Sequence, residues 1–61
     1  MAHDNTDFVV GELLKFYRMY ERDPIYQRKV LEGWQQEAKT GRSYRKAYDQ
    51  AYRQIMMEKS R

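Results

Sequence analysis

The residues best able to do chemistry in this chain stand close together at positions 41–54, GRSYRKAYDQAYRQ. Tyrosine recurs there every fourth residue, and arginine, lysine or alanine fills most of the gaps. Guanidinium and ammonium groups neutralise phosphate, giving an affinity that falls with salt and depends little on base sequence. Arg42, Arg45, Lys46 and Arg53 are therefore the candidate nucleic-acid residues. At about 100° per residue they gather on a helix side turned away from Ala47, Ala51 and Ile55, so one side can pack while the other meets phosphate. Asp49 lies within the same basic face, three or four residues from Arg45, Lys46 and Arg53, where local ion pairs take up part of the charge. Solvation alone, or an acidic protein partner, would use the same face.

The tyrosines admit two readings. Tyr44, Tyr48 and Tyr52 could stack on unpaired bases, but their i, i+4, i+8 spacing beside Ala47, Ala51 and Ile55 is that of a packing seam with hydroxyls at its rim. The wheel thus places these tyrosines inward or toward a protein partner, and the cations elsewhere. Trp34 is read in the same way, as an anchor of the core or of a subunit interface.

Catalytic chemistry finds little to work with. The only histidine, His3, sits in a polar N-terminal stretch without ligand partners, and cysteine is absent, so neither a zinc site nor a disulfide is expected. No Ser/His/Asp set and no glycine-rich phosphate loop is present, and Glu12 with Lys15 or Glu32 with Gln36 reads as ordinary helix-surface chemistry. The expectation is a non-catalytic protein with no cofactor, no metal and no small-molecule substrate.

The elements that must position these residues are helical throughout. Apolar residues recur at steps of three and four, and only one proline and three glycines punctuate the chain. A first helix is expected over about 6–22, capped by Asp4, Asn5 or Thr6, after a polar tail at 1–5. Its stripe is Val9, Val10, Leu13, Leu14, Phe16, Tyr17 and Tyr20, with Met19 at the edge within reach of a partner. Asp23-Pro24 is the clearest boundary, since Asp caps from the position before and proline suits the first turn. The second helix spans about 24–40, with Tyr26, Val30, Leu31, Trp34 and Ala38 on one face and Gly41 as its C-terminal cap. Ser43 would cap a third helix over about 43–58. The fold class is all-α, a small three-helix bundle forming a single domain; the alternative is a two-helix hairpin with a kink near Gly41.

Two DNA-reading motifs come near the pattern without matching it. Trp34 to Tyr52 reads as helix, glycine-containing turn, helix. A helix-turn-helix sets a small residue four positions before the turn glycine and an apolar one just after it, whereas here Ala38 is three before Gly41 and Arg42 follows. No alternating strand precedes the first helix, so a ribbon-helix-helix is not indicated either.

Length sets the remaining expectations. A chain of 61 residues buries only about 60% of its unfolded surface, and without disulfide or metal it turns to tight packing or oligomerisation. Its nine aromatic residues suit either, and a homodimer or other protein partner is expected, with Phe16, Met19, Tyr20, Trp34, Tyr44, Tyr48 and Tyr52 as interface candidates. The net charge of +3 is unevenly spread: residues 1–23 hold five acids and three bases, residues 42–61 two acids and six bases. No run of about 20 apolar residues and no secretory leader pattern is present, so a cytoplasmic protein without membrane contact is expected. The sequence is thus read as a small regulator or adaptor of the kind phages and plasmids encode, acting by protein-protein interaction. The alternative is a DNA- or RNA-binding accessory protein that uses the basic face.

Overall fold

The computed structural model describes residues 5–60; His3 and the cap candidate Asp4 lie outside them. Three helices follow one another: α1 (Thr6–Met19), α2 (Pro24–Thr40) and α3 (Arg45–Lys59). All three are amphipathic, and α1 carries Asp7 in its first turn and Arg18 in its last, as the helix dipole favours. No helix among the described residues is long and apolar enough to cross a membrane.

Helix α1 ends at Met19, three residues before the boundary expected from the sequence. Its last turn tightens instead of continuing: Tyr20 N–H donates to the Tyr17 carbonyl at 3.2 Å, Glu21 N–H to Arg18 at 3.3 Å and Asp23 N–H to Tyr20 at 2.8 Å. These i→i−3 bonds turn the chain into α2. There Asp23 Oδ1 accepts from the Tyr26 N–H at 3.0 Å, with Pro24 in the first turn. The side chain satisfies one of the donors that a helix start leaves orphaned.

Helices α2 and α3 are separate, and no bent rod runs through position 41. Gly41 N–H caps the Glu37 carbonyl at 2.8 Å, and the chain then leaves in an extended conformation, φ −63°, ψ 149°. Left-handed backbone is therefore not what calls for glycine here. Space is: a Cβ at position 41 would lie 2.5 Å from the Glu37 carbonyl oxygen and 2.8 Å from Glu37 Oε2. The left-handed residue of this elbow is Tyr44, at φ 60°, ψ 22°, and it occupies the N-cap of α3 with no side-chain capping bond. Ser43 does not cap the helix and Tyr44 does not belong to it. Since Tyr44 supplies the first helical carbonyl, accepting from Tyr48 N–H at 3.0 Å, the helix opens one residue too late for Ser43 to serve.

Helix α3 is the element on which the fold converges. It packs against both α1 and α2, while those two meet little outside their shared corner. Arg18 near the end of α1 donates to Glu58 near the end of α3 at 2.8 Å, and Asn5 and Thr6 lie beside residues 42–46. So α1 and α3 run in the same direction and α2 runs against them. The core joins Leu14 and Tyr17 of α1, Leu31 and Trp34 of α2, and Ala51 and Ile55 of α3, while Ala47 is also buried. Ala47 and Ala51 are wholly inaccessible to solvent. Small side chains there let two helices seat closely on the third, and the large residues opposite fill the space. Burying each Leu or Ile contributes about 1.5–3 kcal/mol, and few residues here are buried completely. The core is thin, as the length implies.

Candidate interaction surfaces

Two regions outside the core hold the residues of interest, one at each end of α2. The first is the corner between α1 and α2. Below the surface the Tyr17 ring lies against Trp34, centroids 5.8 Å apart, and Gln27 Nε2 donates to the Tyr17 carbonyl at 2.9 Å, binding α2 to the last turn of α1. Above them runs a row of rings that the core does not enclose: Phe16 meets Tyr20 edge-on at 5.2 Å, and Tyr20 meets Tyr26 at 4.3 Å. These separations are typical of favourable aromatic pairs or slightly closer. Met19 and Ile25, 69% and 70% exposed, stand beside this row in sequence. Of the interface candidates, Phe16, Met19 and Tyr20 thus come together on one surface.

The other candidates disperse. Trp34 is buried within the chain, so its indole is already used by the fold. Tyr48 and Tyr52 are half-buried and pack against the core along α3. Tyr44 is 53% exposed and stands apart from both. Its placement corrects the reading of the tyrosine ladder: the positive φ swings it out of the seam that Tyr48 and Tyr52 continue.

The second region is the elbow between α2 and α3. Arg42, Ser43, Tyr44, Arg45 and Lys46 line an open recess of about 350 Å³ together with Asn5 and Thr6. Three of the four candidate phosphate-binding cations are therefore neighbours. No carboxylate among the described residues comes within ion-pairing distance of Arg42, Arg45 or Lys46, although Asp7 and Asp49 border an adjoining recess with Lys46. Arg53 is different, because its Nε is 3.0 Å from Asp49 Oδ2, the i, i+4 pairing that the spacing implies.

Elsewhere the polar surface is ordinary, with Lys15 Nζ 3.3 Å from Glu12 Oε2 on the outside of α1. Among the described residues no group of three or more His, Asp or Glu side chains is placed to hold a metal ion.

Sequence reasoning missed Phe8 and Ile25. Both are strongly exposed, Phe8 at 71%, and both fall outside the apolar arc of their helix when plotted at about 100° per residue. That off-stripe position was the available signal. Comparison of the chain with protein-family models, with curated proteins and with solved structures finds no match.

Proposed function

We propose that this protein is a small regulator or adaptor that works by binding protein, with the α1–α2 corner as its contact surface and a second copy of the chain as the occupant. The observation that carries the reading is the row Phe16–Tyr20–Tyr26, edged by Met19 and Ile25 and left outside a core already supplied with Tyr17 and Trp34. Exposed aromatic and methionine side chains grouped on one surface are the kind of residues that interface centres favour. Helix α1 adds to this, since Phe8, Phe16 and Met19 are all exposed large apolar side chains. A helix apolar on more than one side is one that more than one neighbour covers.

A second copy suits the border of the corner. Glu21 and Asp23 are interspersed there with Arg22 and Lys29, all exposed. Across a two-fold axis, acids of one copy can face bases of the other, whereas a surface of single sign would repel itself. Sedimentation equilibrium over a wide range of concentrations tests the reading. The unaltered chain should associate, and the double variant Met19→Asp, Ile25→Asp should be monomeric with unchanged helical circular dichroism. A chain that stays monomeric throughout, or a variant that associates as well as its parent, would sink it.

A further inference from the structure

The elbow carries an inference separate from the corner. We infer that the recess formed by Arg42, Tyr44, Arg45 and Lys46 is a contact site for single-stranded nucleic acid, in which the cations hold phosphates and the Tyr44 ring receives an unpaired base.

Charge supplies the first part. Residues 42–61 contain six bases and two acids, and both acids are engaged: Asp49 with Arg53 at 3.0 Å and Glu58 with Arg18 at 2.8 Å. Arg42, Arg45 and Lys46 remain exposed and without an ion pair among the described residues, so three of those six bases form one cluster of unpaired charge at the elbow. Asp7 and Asp49 share a recess with Lys46, and Asp49 shares another with Arg45, so the charge of these two cations is partly offset without being paired. Arginine also suits phosphate geometrically, since its planar fork can donate two hydrogen bonds at once.

The ring supplies the second part and selects among polyanions. Tyr44 lies between Arg42 and Arg45 in sequence, lines the same recess and exposes about half its surface. An acidic peptide offers charge but no flat π-face at each step of the chain, so it would leave the ring unused. A duplex keeps its bases stacked on one another and offers one projecting ring nothing to stack on. A single strand supplies phosphates and unstacked bases together, and aromatic stacking with a tracking basic surface is how such strands are held without sequence preference. Side-chain charge and one aromatic face do the recognising; the helix end itself is not required.

Fluorescence anisotropy with a labelled mixed-sequence single-stranded DNA tests this. Duplex DNA of the same length and poly-glutamate serve as comparisons, in buffers of low and moderate salt. The single strand should bind best at low salt, with a log–log salt slope of about −2 for three neutralised phosphates. Tyr44→Ala should weaken it about tenfold, in line with the loss of one stacked base, while Tyr44→Phe retains affinity. Tyr44→Gly should weaken it equally, and because glycine is at ease at positive φ, misfolding cannot account for the loss. Arg42→Glu with Arg45→Glu should abolish binding, and Arg53→Glu should change it much less. No binding at low salt overturns the inference. So does duplex affinity equal to single-strand affinity with no effect of Tyr44, or poly-glutamate binding as tightly as DNA. Charge reversal at the elbow leaves Met19 and Ile25 untouched, so the outcome is independent of the association assay at the corner.

Discussion

The two ends of α2 are built on opposite plans. At its N-terminal end every local choice agrees: Asp23 caps, Pro24 fits the first turn, Gln27 reaches back to the Tyr17 carbonyl, and the Tyr26 ring meets that of Tyr20. At its C-terminal end local preferences are set aside. The next helix starts without a side-chain cap, its first turn holds no acid but does hold Arg45 and Lys46, and a tyrosine sits in left-handed backbone. Basic residues at a helix start oppose the dipole, and a non-glycine αL residue costs about 1–2 kcal/mol. Sequences are usually consistent across levels, and the places where consistency lapses are where function is most often lodged. The corner is thus built from locally favoured contacts, whereas the elbow departs from local preference around the side chains it displays.

Substitutions at the two ends put that contrast to the test. The largest difference should separate two tyrosines. Tyr17→Ala removes a buried ring beside Trp34 and should cost about 3 kcal/mol or more, while Tyr44→Ala should change stability by less than about 0.5 kcal/mol. Urea melts followed by circular dichroism read both, and equal losses would erase the distinction between the ends. Gly41→Ala comes next, at about 1–3 kcal/mol, because its Cβ would press on the Glu37 carbonyl; a neutral result would mean that the elbow relaxes freely.

Capping gives the third contrast. Asp23→Ala should cost about 1 kcal/mol through loss of the bond to the Tyr26 N–H, and Ser43→Ala should cost nothing measurable in the same melts. Smallest of all, Gly33→Ala and Tyr44→Gly should each stabilise the chain by about 0.5–1 kcal/mol. The first removes glycine from a helix position with open space around it, the second relieves positive φ. A thermal melt that shifts downward for Tyr44→Gly would show that the ring contributes more to folding than its exposure suggests.

Much of this architecture was legible in the sequence, for reasons that differ by position. Asp23-Pro24 announces a helix start through two independent effects, side-chain capping and fixed φ, so the boundary stands where they coincide. The inward stripe of Ala47, Ala51 and Ile55 follows from periodicity alone. Position 44 was not legible: the spacing to Tyr48 and Tyr52 is correct for a ladder, but whether the helix opens at 43 or 45 is decided by the elbow's backbone path and not by residue type. Likewise the ring row Phe16–Tyr20–Tyr26 joins two helices, and no pattern within either one shows how they meet. The engagement of Asp49 by Arg53 was readable, because that pairing is local.

The central seat of α3 sets an order of assembly. The α2–α3 pair is joined by a short elbow and can close on neighbours in sequence, whereas α1 finds its main partner far along the chain, as the bond from Arg18 to Glu58, forty residues apart, records. Closing the longer loop costs more entropy and rewards it later. The hairpin of α2 and α3 should therefore form in the folding transition state and α1 dock afterward. In rate terms, trimming Leu14 should mainly hasten unfolding, while trimming Leu31 should slow folding.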